Sequence, residues 1–463
     1  MSPRYLFLTG KLAEPSLHKV VTQLGESVGF EPQVLDVGVS VAALMHADLV
    51  ARRLPEETAA GSQKVFVPGW CQGDLGVLSD KFGVPFERGP KDLFDLPEYF
   101  GKGARPPIKL DEYDIEILAE INHAPRMSDR EILKLASHFR DSGANVIDLG
   151  CVPGESWPRV AEVTQLLKQD GFRVSIDSFD RAEVETSVAA GAELVLSCNR
   201  SNVEWAAQLD AEFVAIPDAP FGLDSLAEAV DVLKLAGRRF RIDPIIEPIG
   251  FGFAASLARY FEARRRWPEI EIMMGIGNLT ELTEVDSNGV NFLLAAICQE
   301  LGIRSVLTTE VINWARSAVK EFDLARRHVF RSIKQRALPK HVDSSLLLLR
   351  DPKLREMGDA ELRQLAAQIK DPNYRVFVER GEIHVMNRDG YWHGTDPFVL
   401  FDQFSAAASE PLAASHAFYL GHELNKAATA LLLGKQYTQD EALRWGFLTT
   451  EEASAIERRR HSR

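Results

Sequence analysis

One pattern recurs between residues 113 and 330. A short run rich in β-branched and aromatic residues ends in a small polar residue, and an amphipathic stretch follows. Residues 174–202, VSIDSFDRAEVETSVAAGAELVLSCNRSN, hold two strand tips of this kind, at Asp177 and Asn199. The spacing predicts strands at 115–121, 145–149, 173–176, 194–198, 213–217, 240–242, 271–276 and 305–309. Amphipathic segments such as 129–141, 223–236, 290–300 and 313–327 separate them. Alternation of this kind builds a parallel sheet. About eight repeats in such a length is the arithmetic of a (β/α)8 TIM barrel. An open, doubly wound sheet shares the periodicity and stays as the alternative.

The flanks read differently. Residues 1–105 alternate strands (5–9, 32–37, 64–68) with helices (15–28, 40–52), which predicts a small Rossmann-like α/β domain. Thr9-Gly10-Lys11 lacks the spacing of a phosphate loop and reads as a plain turn, as does 69–74. Residues 101–112, rich in Gly, Pro and charge, read as a linker before the barrel at 113–330. Residues 335–463 predict a small α+β domain. It has a hairpin about Gly381, a turn at Asp389-Gly390, an edge strand at 396–403 and helices at 414–434 and 438–445. A basic, frayed tail at 458–463 ends it.

Composition narrows the partners. With a formal net charge of −14 the chain has no global basic field, which argues against nucleic acid and acidic membranes as partners. No apolar run reaches spanning length, and the start MSPRYLFLTG is too short for a signal peptide, so a cytoplasmic location is expected. The four cysteines are far apart, which fits reduced thiols rather than zinc or redox motifs.

The polar residues at the expected strand tips are Asn122, Asp148, Asp177, Asn199, Asp218, Asp243, Asn278, and Thr308 or Glu310. A single polar tip residue as often caps a loop as it binds a ligand. As a set they converge, because strand tips of a parallel barrel share one face. Carboxylates accept paired N–H groups, and an amide both donates and accepts. Such a ring suits a flat heterocycle carrying amino and ring N–H groups. It suits free phosphate badly, since no lysine stands at any tip. Neither an HExxH zinc motif nor a Ser-His-Asp arrangement is present.

Six pieces then stand in order: Glu120-Ile121-Asn122; Val146-Ile147-Asp148-Leu149-Gly150 with Gly154-Glu155-Ser156; Ser175-Ile176-Asp177-Ser178; Leu196-Ser197-Cys198-Asn199; Arg241-Ile242-Asp243-Pro244 with Gly250-Phe251-Gly252; and Gly275-Ile276-Gly277-Asn278. On these, the segment 115–327 resembles the pterin-binding barrels, the dihydropteroate synthases and the methyltransferases of methyl-tetrahydropterins. The three-part layout resembles the dihydropteroate synthase-related proteins of tetrahydromethanopterin-making organisms. The resemblance implies a pterin held by Asp177, Asn199 and Asp243. It implies Asn122 near a leaving diphosphate and its Mg2+, Asn278 on the pterin, Asp148 as a family aspartate, and pairing into dimers. Asp218 is a further candidate contact, though packing against loop amides explains Asp148 and Asp218 equally well.

The chain departs from the synthases after the last two strands. Gly277-Asn278-Leu279-Thr280 stands where they carry a lysine, and Leu307-Thr308-Thr309-Glu310 where they carry Arg-x-His. Arg126 and Arg200 are the candidates to replace that charge, with His123 and Arg181 beside them. Three expectations follow. The first is a synthase-like transferase joining a dihydropterin-methyl diphosphate to an arylamine, with Asn122 and Asp177 at the chemistry. The second is methyl transfer to a corrinoid protein partner, since the chain has no corrinoid motif of its own. The third is a pterin-binding scaffold without chemistry.

Overall fold

The computed structural model describes residues 2–91, 93–102 and 108–452. The centre of the expected linker and the basic tail lie outside these residues. The chain divides into two compact units, Met1–Lys340 and His341–Arg463.

The first unit opens with four parallel strands, β1 (Arg4–Thr9), β2 (Glu31–Asp36), β3 (Lys64–Val67) and β4 (Phe86–Arg88), in the order β2-β1-β3-β4. Alternate residues serve opposite faces. Leu6, Leu8, Val65 and Val67 pack in one apolar cluster with Leu78 and Phe82, while Phe7 and Phe66 join Leu17, Val21 and Leu24 in another. Helices therefore cover both sides. Lys11 N–H bonds Val39 O at 2.8 Å, and a Cβ on Gly10 would meet that same carbonyl, so the Thr9-Gly10-Lys11 corner is a packed turn. β4, three residues long, was not foreseen; Pro85 and Gly89 bracket it too closely to leave an apolar run.

Eight parallel strands follow: β5 (Glu116–Ile121), β6 (Val146–Gly150), β7 (Val174–Asp177), β8 (Leu194–Cys198), β9 (Glu212–Ala215), β10 (Phe240–Ile242), β11 (Met273–Gly275) and β12 (Ser305–Thr308). They run β10-β9-β8-β7-β6-β5-β12-β11, and a bridge between Ile242 and Ile272 joins the two ends. The eight-stranded sheet is a barrel, and the open-sheet alternative falls. Leu118, Val146, Leu194, Leu196, Val214 and Met273 form one apolar cluster. These residues come from β5, β6, β8, β9 and β11 around the closed sheet and fill its interior.

Local signals explain the barrel's helices. In Asp129–Ser142, Ser128 and Glu131 cap each other's backbone N–H, and Gly143 (φ 112°) ends the helix where any Cβ would overlap Asp323. The last helix, Ala318–Gln335, is fastened from inside by Arg326, which is 0% exposed. Its guanidinium donates to Ile115 O, Asn145 Oδ1 (2.7 Å), Gly143 O (2.8 Å) and Asp323 Oδ1 (2.7 Å), and stacks on Tyr113.

The second unit holds a three-stranded antiparallel meander, β13 (Arg375–Glu379), β14 (Glu382–Asn387) and β15 (Gly390–Gly394), with helices Asp359–Gln368, Pro397–Ala407 and Ala414–Leu433. Two expectations fail here. Residues 396–403 are not an edge strand. The Asp396 carboxylate accepts from Phe398 N–H and Val399 N–H and Pro397 opens the first turn, so the apolar run begins a helix. Residues 438–445 are not helical. Asp440 has φ 66°, and the Gln439 side chain bonds both Val376 N–H (2.9 Å) and Tyr374 O (3.0 Å), holding the segment irregular against β13.

Candidate functional site at the barrel mouth

The site grows from strand register. In a parallel sheet, Cα partners put their side chains on the same face. Glu120 pairs with Asp148 and Asp148 with Ser175; one rung up, Gly150 pairs with Asp177 and Asp177 with Leu196. Leu118 and Val146 lie inside the barrel, so Glu120 and Asp148, two residues further along, also point inward, and Asp177 stands above them. Three carboxylates thus sit directly on an apolar floor, and one oxygen of each lies within 4.8 Å of the others.

Asp148 is 0% exposed. Its Oδ1 accepts the Ser175 hydroxyl at 2.6 Å, and its Oδ2 is buried with no hydrogen-bond partner. Glu120 Oε1 accepts the Asn122 amide at 3.3 Å. Burial pushes the Glu120 carboxyl up to about 7, helped by the charges of Asp177 and Glu281. Burial first, then Asp177 and Glu120, pushes Asp148 well above the usual carboxylate range. Burial lifts Asp177 to about 6. Among the described residues no lysine or arginine forms an ion pair with any of the three.

Carboxyls that hold protons more tightly folded than unfolded favour the folded state at low pH. That advantage is lost as pH rises, from about 4.5 towards 7 for Glu120 and from 3.8 towards 6 for Asp177. Asp148→Asn removes one of the three repelling charges. With a chelator present, the variant is therefore expected to gain stability relative to wild type between pH 5 and pH 8, by on the order of 1–3 kcal/mol. Thermal melts of both proteins across that range check it; a difference independent of pH would contradict it.

The remaining tip residues lie around the same rim. Asp243 is buried and pushed up to about 6 by that burial, against the lowering bonds from Tyr260 Oη, Ile245 N–H (2.8 Å) and Gly275 N–H (3.1 Å). Much of its accepting capacity thus holds the β10 and β11 loops. Asn278 is exposed and its amide nitrogen donates to Ile246 O at 3.0 Å, while its Oδ1 accepts no hydrogen bond among the described residues. Asn199 Oδ1 accepts from Ser201 N–H (2.9 Å) and the Ser201 hydroxyl (2.6 Å), an Asx turn, and Asn199 N–H donates to Asn202 Oδ1 at 2.8 Å; the Asn199 side-chain nitrogen makes no hydrogen bond among the described residues. Asp218 is ion-paired with Arg200, whose guanidinium also reaches Glu228, and Arg126 with Glu155. Arg181 pairs with Glu185 at 2.6 Å. Each arginine expected to supply positive charge is thus already engaged.

Two further acidic residues matter here: Glu281, which the sequence did not single out, and Glu310, an expected tip residue of the eighth strand. Glu281, just past β11, accepts the Thr309 hydroxyl and adds its charge to Glu120. Glu310 pairs with His138 at 2.9 Å and accepts Val319 N–H at 3.1 Å. Glu281 directly follows the run Gly277–Thr280, and Glu310 ends the run Leu307–Glu310, so carboxylates rather than cations border both loops. Beside Asp177 opens a cavity of about 410 Å³, lined by Cys151, Gly154, Glu155, Ser178 and Glu183 among others. Of the expected ring, only Asp177 lines it. Exposed Phe179, Phe221, Phe251 and Leu282, all on loops past strand tips, give the mouth an apolar rim. All four cysteines are free. Among the described residues no helix is long and apolar enough to cross a membrane.

Residues 4–91 match a family of unknown function, DUF6513. The chain is 25% identical over 530 residues to an uncharacterized protein of Methanocaldococcus jannaschii, covering 94% of this chain and 98% of that one. Solved structures similar to it include a dihydropteroate synthase of Yersinia pestis with a pterine-sulfa conjugate, at 19% identity over 48% of this chain and 95% of that chain, TM-score 0.38. Another is that of Xanthomonas albilineans in complex with 7,8-dihydropteroate, at 21% identity over 49% of this chain and 95% of that chain, TM-score 0.37. The enzyme of Thermus thermophilus matches at 18% identity over 49% of this chain and 96% of that chain, TM-score 0.38.

Proposed function

We propose that the barrel mouth binds a reduced pterin and that the protein is a dihydropteroate synthase-like transferase. In this reading it couples a dihydropterin-methyl diphosphate to an arylamine, within tetrahydromethanopterin assembly. One observation carries it. Asp177, a half-buried acceptor with no cation paired to it among the described residues, stands over an apolar barrel floor and beside a cavity large enough for a bicyclic heterocycle. Ligand N–H groups are the natural partners of such an acceptor. Asn199 supplies an amide donor one strand away, and Asn278 Oδ1 a further acceptor. The apolar rim around Phe179 and Phe251 suits the faces of a flat ring.

In the reaction, the amine nitrogen forms a bond to the exocyclic methylene carbon, the carbon–oxygen bond to diphosphate breaks, and the amine gives up one proton. The chain's part is to hold the pterin so that this carbon faces the amine. Magnesium, when bound, neutralises diphosphate. Asn122 Oδ1 fits as its ligand, because the amide nitrogen of that residue is turned to Glu120. A magnesium ion is all the more required because Arg126 and Arg200 are spent on Glu155 and Asp218.

The acidic surroundings of Glu281 and Glu310 favour one second reading, transfer of a methyl group from a methyl-tetrahydropterin to a corrinoid on a partner protein, which has no diphosphate to bind. Single-turnover assays separate the two. The first reading expects the coupled pterin–arylamine product and released diphosphate, both dependent on Asp177. Demethylation of a methyl-pterin by cob(I)alamin, with no coupling, would overturn it in favour of the second.

A further inference from the structure

We propose that Glu120, Asp148 and Asp177 form a divalent-cation site at the base of the barrel mouth, separate from the magnesium expected at Asn122. The three ligand oxygens already lie within 4.8 Å of one another, close enough to share one ion. Clustered carboxylates alone do not make a site; the buried Asp148 does. Its Oδ2 is enclosed, carries no hydrogen bond, and has like-charged groups as its neighbours. Leaving a buried acceptor unsatisfied is costly unless something positive or N–H-bearing meets it.

The space is also kept open. A Cβ on Gly150, the register partner of Asp177, would overlap Glu120 Oε1, so glycine at this rung leaves room between the carboxylates. The donor set is all oxygen and lacks sulfur and imidazole, which selects a hard ion such as Mg2+ or Mn2+. The strands fix all three ligands, Glu120 and Asp148 on one rung and Asp177 on the next, which gives the site its shape before any ion arrives. Asp177 has two oxygens, so one can face the ion while the other faces a ligand above it.

The test uses the full-length protein, stripped with chelator and titrated with Mn2+, with the free-ion electron paramagnetic resonance signal as readout and no pterin present. One site per chain, displaced by Mg2+, is expected. Asp148→Asn and Glu120→Gln should each weaken it by more than about tenfold, the loss caused even by an outer-sphere partner. Gly150→Ala, which removes no carboxylate, should weaken it too, and Asp218→Asn should not. Circular dichroism and melting temperature confirm that each variant is folded. Absence of Mn2+ binding at millimolar concentration, or equal binding in folded Asp148→Asn, would overturn the proposal and leave a proton shared among the carboxyls. Pterin binding measured in chelator is a separate result, so the cation site and the pterin reading stand or fall independently.

Discussion

Asp177→Asn is expected to lower affinity for a reduced pterin by about a hundredfold to a thousandfold with the fold intact, which corresponds to the ~3–4 kcal/mol cost of breaking a desolvated, charge-assisted pair. Asparagine keeps the shape of the side chain but turns one acceptor into a donor, which then faces the ligand's own N–H groups. The fold should not suffer, because among the described residues Asp177 forms no ion pair, and losing its charge relieves Glu120 and Asp148 beside it. A variant more stable than wild type yet blind to the ligand is the combined signature, read by fluorescence titration and thermal melts. Asp218→Asn is the control. Its carboxylate is engaged by Arg200, and binding should change by no more than a few-fold. A pterin affinity unchanged in folded Asp177→Asn would remove this residue from the site.

The largest effect on stability is expected from Arg326→Ala. The side chain is fully buried and joins four parts of the barrel: the start of β5 at Ile115, the loop before β6 at Gly143 and Asn145, Asp323 on its own helix, and the face of Tyr113. Truncation leaves the Asp323 carboxylate, which is nearly buried, with Arg327 and Lys320 as its remaining cations, and strands two carbonyls without their donor. The expected cost is about 3–5 kcal/mol. Denaturant unfolding followed by circular dichroism measures it. A loss below about 1 kcal/mol would show that the helix Ala318–Gln335 is held by its apolar face alone.

The barrel was legible because its information is local. Period-two runs ending in a polar residue, repeated with amphipathic helices between, leave few topologies for the chain. Closure was not legible; it rests on a single bridge, Ile242 to Ile272, between segments far from the strongest pattern. In the site, Asn122, Asp148 and Asp177 stood out as strand-tip residues. Glu120 was within reach of the same logic, since it lies two residues before Asn122 on one face of β5. Glu281 and Tyr260 were not. One sits in a loop after β11 and the other on the helix Phe253–Arg266, and only tertiary packing brings them to Glu120 and Asp243. Pairing of the arginines was equally hidden, because Arg200 meets Asp218 across 18 residues and Arg126 meets Glu155 across 29. In the second unit, the apolar run after Asp396 carries both a strand reading and a helix reading, and the Asp-Pro cap decides it.

Isothermal titration of the full-length protein with a panel of reduced pterins tests the central claim most directly. One binding site per chain is expected. Affinity should rise when diphosphate and magnesium accompany a dihydropterin, and binding should be lost in Asp177→Asn. A folded wild-type protein that takes up no pterin of either the dihydro or the methyl-tetrahydro form, with or without diphosphate, would contradict it.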